Sequence, residues 1–372
     1  MPASSRQEPH VQYDPAKVED VLQLGGIRTG TLDYPNPNGG QSCRVAFVNT
    51  GGGLRFTVAI DRGGDLVEAD FKSTNLAFLT RNGYKPPSHA YSREYEWLKG
   101  WPGGLLTTGG PELMGEPRIE DNNPVPLHGR FSNIPASVDS IVNPDLRAAR
   151  TVMAISMTIQ DIQMFGPNIE VKRTISCRLG GATIVMNDTV ANLGNEPCRH
   201  ALLYHVTLGY PLVDSGSRII CSGPAKGYFQ FSSAKSNADF AQLKVIPPNR
   251  SGMFGDYDPR GGMFIAEPVG DERGQACVGI VNEERAVGLE LTYPVAAMPR
   301  VGNWQYFGDG GGYLAAFEPF SGSIFGKERD THPSAALTLQ PGESLDYAMS
   351  IRALEGAQEI RQLLERDGPL LA

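Results

Sequence analysis

With 33 basic against 41 acidic side chains in 372 residues, the chain carries a formal charge of −8, which argues against the basic face that a nucleic-acid partner requires. Its 44 glycines and 28 prolines cut it into short pieces and exclude a mainly helical fold, while 40 % hydrophobic residues suffice for a substantial core. No apolar run of about 18 residues occurs and Met1 to Glu8 holds no hydrophobic leader, so a soluble protein with no membrane partner is expected.

Five scattered cysteines (Cys43, Cys177, Cys198, Cys221, Cys277) form no Cys-x-x-Cys pair and read as reduced thiols in the cytoplasm. In chain order, Asp14-Pro15 followed by Ala16 to Leu22 predicts a short helix with an aspartate cap and proline at its first position. Cys43 to Val48 and Leu54 to Ile60 are strand-like and flank Gly51-Gly52-Gly53, which predicts a hairpin. Asp61-Arg62-Gly63-Gly64-Asp65 then makes a tight charged turn, and solvated charges are its plainest reading.

Residues 82–126 are irregular, rich in proline, glycine and aromatics, and place Trp97 and Trp101 in one glycine-rich loop. A structureless segment this long is usually functional, and an indole there is a platform for a sugar face or a cap on the core edge. From residue 151 alternation becomes strong: Met153, Ile155, Met157 and Ile159, then Ile169, Val171 and Ile175, then Thr183 to Val190 before a turn at Asn192 to Pro197. Ala201 to Leu208 is an apolar run with one histidine, closed by Gly209-Tyr210-Pro211. Val287-Leu289-Leu291-Tyr293 and Leu345-Tyr347-Met349-Ile351 alternate again, the latter after a Pro341-Gly342-Glu343 turn. Only residues 357–366 look helical, with Ile360, Leu363 and Leu364 on one face and Gly368 as C-cap. Many short strands between turns imply an all-β, large antiparallel sandwich with a few short helices.

Two residues stand out because polar groups are costly in apolar runs. His205 sits in the middle of one such run and Glu318 ends another, Gly312 to Phe317. From ordinary pKa values a carboxylate accepts a proton and a histidine gives one, so the two make an acid–base couple. The plainer alternatives are a hydrogen-bonded core histidine and a carboxylate paired with a cation. His128 precedes Gly129 in a loop, while His10, His89 and His332 read as solvated and His200 as facing away from His205. The Gly308 to Gly312 stretch reads as a plain loop, since no helix follows it. No spacing supports a metal site, and no cofactor is expected.

At these residues the chain resembles the galactose mutarotase-like superfamily, the aldose 1-epimerases and their relatives, in a poorly characterised branch. The resemblance rests on an ordered set. Asp61 to Asp65 is similar to an Arg-Gly turn of that branch; Gly103 to Gly110 and Leu127-His128-Gly129-Arg130 are similar to its Gly-rich loop and His-Gly signature. Asp188 to Gly194 resembles the turn that precedes the catalytic-histidine strand, and Tyr204-His205 to Pro211 and Phe317-Glu318-Pro319 complete the order. The segment at His205 departs from the Asn-His-x-Tyr-Phe-Asn-Leu type of the better-known epimerases, which puts the histidine's hydrogen bonds and the sugar in question.

The resemblance implies a β-supersandwich over residues 41–355, with residues 1–40 as an N-terminal extension packed on it and 356–372 as a C-terminal helix. It implies that His205 is the general acid on the ring oxygen, Glu318 the base on the anomeric hydroxyl, and His128 a substrate-orienting residue. Arg62, Asp65, Trp101 and Arg130 join them as expected substrate contacts, the arginines either gripping an acidic sugar or pairing with Asp65, Glu112 or Asp121. The expected partner is a small-molecule carbohydrate, neutral or acidic, with a homodimer left open. Aldose 1-epimerisation is the first reading; another isomerase or lyase on a modified sugar, and a non-catalytic carbohydrate-binding protein, are its rivals.

Overall fold

Period-two apolar alternation drives most of the chain into antiparallel strands, whose inward side chains meet between sheets. The computed structural model describes residues 13–34, 41–120, 122–228, 244–248, 262–307 and 312–371. His10, Asp121 and the Gly308 to Gly311 part of the glycine-rich stretch lie outside them.

Three sheets carry the architecture. A five-stranded sheet takes Gly26–Tyr34, Gln41–Asn49, Leu54–Ala59, Asp65–Phe71 and Thr74–Asn75 in sequence order. The hairpin predicted across the glycines is there, with Asn49 opposite Arg55 and Val45 opposite Ala59. Residues 26–34 pair along the other edge of Gln41–Asn49, so the region before residue 41 contributes a strand to this sheet. Where the short helix was expected there are two 3-10 turns, Pro15–Lys17 capped by Asp14 and Val21–Gln23 capped by Asp20.

An eight-stranded sheet has Val152–Ile162, Asn168–Arg178, Thr183–Asn192 and Ser344–Glu355 at its centre and Ser137–Val142 on one edge. Met153, Ile155, Met157, Ile159, Ile169, Val171 and Ile175 all point into the main core, as their alternation predicts. The third sheet, of seven strands, places Arg300–Phe307, Tyr313–Ser321, Leu202–Gly209 and Thr107–Gly109 side by side. The histidine strand divides its side chains between two layers: Leu202, Tyr204, Val206 and Leu208 enter the main core, while Leu203 joins a smaller cluster with Phe320 and Ile265 on the opposite face.

The C-terminal helix, Gly356–Leu364, lays Ile360 and Leu363 against Ile220, Cys277 and Val281. Its end differs from expectation. The helix stops at Leu364, and Gly368 is not its cap: Gly368 packs its backbone against Gly223 and donates its N–H to the Cys221 carbonyl. All five cysteines are buried, each under 7 % exposed. Among the described residues, no helix is long and apolar enough to cross a membrane.

Candidate active site

The register between Leu202–Gly209 and its neighbours decides what shares a face. Glu318 lies opposite Gly302, and His205 lies opposite Thr107 on the other side of the histidine strand. The outward face of these strands therefore carries His205, Thr207 and Glu318 together. His205 Nε2 and Glu318 Oε1 are 3.5 Å apart, with the two residues 4 % and 3 % exposed. The carboxyl and the imidazole thus stand side by side, rather than a sugar ring's width apart.

Gly302 makes room for this approach. A Cβ there would come within 2.9 Å of Met263 Cε and 3.3 Å of Glu318 Cβ. His128 enters from the loop beside Thr107–Gly109. Its carbonyl accepts the N–H of Gly110, and Gly110's carbonyl accepts the N–H groups of Arg130 and Phe131. The loop is thereby tied to the strand that flanks His205, and the His128 and His205 rings meet edge to face at 5.2 Å.

Three indoles complete the walls. Trp97 and Trp101 stack at 5.4 Å, Trp97 meets His128 at 5.0 Å, and Trp101 and Trp304 each lie 5.9 Å from the His205 ring. The Trp101 N–H donates to Thr107 Oγ1 and the Trp97 N–H to Ser132 Oγ, so both rings are fixed. Sequence reasoning singled out Trp97 and Trp101 together as indole platforms and named Trp101 as the substrate contact, but it did not single out Trp304.

Enclosure by apolar rings sets the protonation. Burial, with no Lys or Arg in contact among the described residues, pushes the Glu318 carboxyl up to about 8. Burial, and then the neighbouring His128, hold the His205 imidazole well below its ordinary value. Desolvation takes His128 down to about 4, and its Nδ1 has no hydrogen-bond partner among the described residues. Burial therefore favours the protonated form of Glu318 and the neutral form of His205. This is the reverse of what ordinary pKa values suggest, because desolvation penalises the charged form of each group.

The other expected contacts sort differently. Asp65 accepts the Thr108 N–H at 3.0 Å and its hydroxyl at 2.7 Å, and it faces Arg173 at 3.4 Å. Arg173, which sequence reasoning did not single out, also donates to both carboxylate oxygens of Asp188, to the Gly63 carbonyl and to Thr108. Tyr204 donates to Asp188 at 2.8 Å. This network lies on the core side of the histidine strand, so Asp65 serves the frame behind the site. Arg173 falls on the inward phase of Ile169, Val171 and Ile175 and was legible there as a buried charge.

The Asp61 to Asp65 stretch is the predicted turn, yet Arg62 and Asp65 are only 2 % and 3 % exposed, which overturns the reading of solvated charges. Arg62 donates to Asn133 at 3.4 Å. Arg130 lies between Glu112 at 3.7 Å and Asp161 at 3.3 Å. His200 is enclosed by the Pro111 carbonyl and the Tyr347 hydroxyl, each at 2.7 Å. Among the described residues, no three His, Cys, Asp or Glu side chains group to hold a metal ion.

Comparison with known proteins agrees with this architecture. Residues 40–353 match the family described as Domain of unknown function (DUF4432). No curated protein sequence matches the chain. Among solved structures, a candidate aldose 1-epimerase from Klebsiella pneumoniae is similar over 93 % of this chain and 89 % of its own, with 17 % identity and a TM-score of 0.77. A galactose mutarotase-like protein from Clostridium acetobutylicum is similar over 89 % and 99 %, with 13 % identity and a TM-score of 0.59. A galactose 1-epimerase from Lactobacillus acidophilus is similar over 89 % and 100 %, with 12 % identity and a TM-score of 0.56. At these identities the likeness establishes the galactose mutarotase-like fold.

Proposed function

We infer that this chain, which belongs to the DUF4432 family, is an isomerase of the aldose 1-epimerase type, interconverting sugar anomers by acid–base ring opening. The observation that carries the reading is the 3.5 Å approach of His205 Nε2 to Glu318 Oε1 within a wall of indoles. A cyclic sugar bears its anomeric hydroxyl and its ring oxygen on one carbon, so a base and an acid that are to reach both must stand next to each other. Removal of the hydroxyl proton as the ring oxygen is protonated opens the ring. Rotation about C1–C2 then presents the other carbonyl face, and closure runs the transfers backwards.

The surroundings support an uncharged sugar over an acidic one. Arg130 is already flanked by Glu112 and Asp161 and so leaves no surplus positive charge for a substrate carboxylate, and Arg62 is buried at 2 % exposure with its guanidinium donating to Asn133. Indole faces suit the C–H faces of a pyranose. The fold shared with a galactose 1-epimerase supports the same class.

The test is anomeric exchange followed by NMR on a panel of free neutral sugars. The protein is expected to accelerate exchange of at least one of them. His205→Asn and Glu318→Gln are each expected to lower that rate by roughly 100-fold or more, with melting temperatures showing a folded protein. A panel in which no sugar exchanges faster than in buffer, or a His205→Asn variant at full rate, would overturn the reading.

A further inference from the structure

Among the described residues, the outer edge of Ser137–Val142 pairs with no strand. The segment bonds to Val152–Ile162 on one side only, and all of it is exposed, so a row of backbone N–H and C=O groups is open to another strand. Val138 and Ile141 stand opposite Met157 and Ile155, whose side chains lie in the main core. Both therefore face the core side of the sheet, yet they remain 37 % and 38 % exposed. The margin of the core is uncovered there.

The five-stranded sheet runs along the same flank. The Asn143 side chain bonds to the N–H and carbonyl of Ile27, and Arg44, opposite Thr31, donates to the Ala136 carbonyl. Gly26–Tyr34 is the outer strand of that sheet, so Arg28 stands at the Asn143 end of the flank and Asp33 toward the Ala136 end. Arg147 and Arg150, in the turn after Asn143, add to the basic end, where Asp145 caps backbone N–H groups of its own turn. Asp139 adds to the acidic end. Arg28, Arg147, Arg150, Asp33 and Asp139 are all exposed, and none has an ion-pair partner among the described residues.

An edge with one basic and one acidic end complements itself when turned around a two-fold axis. Charge also selects the register. Setting Asp139 against Ser140 of the other copy would crowd the two Asp139 carboxylates, which is unfavourable. Centring the pair on Ile141 separates them by about 13 Å of strand and sets Asp139 of each copy against Asn143 of the other, beside the turn that carries Arg150. That register uses Ser140–Val142, the stretch that pairs regularly, and leaves the bulge at its margin.

We propose that the chain associates with a second copy of itself through Ser137–Val142, antiparallel about a two-fold axis at Ile141. The eight-stranded sheets of the two copies join edge to edge, and Val138 and Ile141 are covered. This holds whatever reaction the site performs.

The experiment is sedimentation velocity of the full chain over a concentration series, with melting temperatures to show that each variant is folded. The wild type is expected to show a monomer–dimer equilibrium that weakens as salt rises. Ile141→Lys sets two like charges on the axis and is expected to raise the dissociation constant about tenfold or more. Asp139→Arg and Arg150→Asp are each expected to weaken the dimer and, combined, to recover much of it; this pair decides the matter should Ile141→Lys not fold. A wild type that sediments as a monomer overturns the proposal, as does a dimer that both the Ile141→Lys and the charge-reversed variants leave unchanged. A monomer whose Ser140 to Val142 amides resist hydrogen exchange overturns it too, and assigns the edge to another segment of the same chain.

Discussion

Glu318 is an acid held neutral by its surroundings, and that has a signature in stability. Its folded pKa of about 8 lies above the ordinary value of 4.5, so between those limits the folded state binds more protons than the unfolded chain. Stability therefore falls as pH rises through that window, by about 1.4 kcal/mol for each pKa unit. His200 works in the opposite sense. Burial lowers it from 6.5 to about 4, so its contribution is present above about pH 6.5 and is lost on acidification toward pH 4. Melting temperature in the wild type is expected to decline from about pH 6.5 to about pH 8, and Glu318→Gln to remove much of that decline. Parallel curves for the two proteins above pH 6 would show that Glu318 is not the group responsible.

At the scale of elements, the segment that delivers His128 depends on an unusual backbone. His128 has φ of +55° and Gly129 φ of +78°, the region that L side chains rarely adopt. A Cβ on Gly129 would come within 2.3 Å of the Leu113 carbonyl and 2.7 Å of that of Gly110. Gly129→Ala is therefore expected to cost about 1–3 kcal/mol in urea unfolding and to lower exchange activity by displacing His128; a variant equal to wild type in both would contradict this account. The strands themselves were legible, because a buried face repeats every second residue whatever lies opposite. So were His205 and Glu318, each a lone polar group in an apolar run. Thr207 was not, since an alternating strand gives a threonine no distinction until its neighbour is seen. Trp304 was hidden for the same reason, and the helix end at Leu364 was misplaced because Gly368 is fixed by Gly223, far away in sequence. The buried charges of the Arg62 turn were read as solvated because the group that balances Asp65 is Arg173, 108 residues on.

For the whole molecule, Arg173 is the point where three parts of the chain meet. Its guanidinium joins the Gly63–Asp65 turn, Thr108 in the strand beside the histidine strand, and Asp188 of the eight-stranded sheet, and it lies over the Phe131 ring at 4.8 Å. Arg173→Met is expected to destabilise by about 3–5 kcal/mol, because Asp188 and Asp65 would be left as buried charges without their partner; urea melts measure it, and a loss under about 1 kcal/mol would show the network to be dispensable. The buried thiols offer a way to watch such losses locally. Burial holds Cys43, Cys198 and Cys221 up at about 11 and Cys277 at about 12, so neither thiolate nor access is available to an alkylating dye while the fold is closed. Each dye equivalent taken up in sub-denaturing urea then marks one opened region: Cys43 the small sheet, Cys177 the interior of the largest, Cys221 and Cys277 its far margin. The chain thus carries its own set of clocks, from which the order in which its layers come apart can be read without adding a probe.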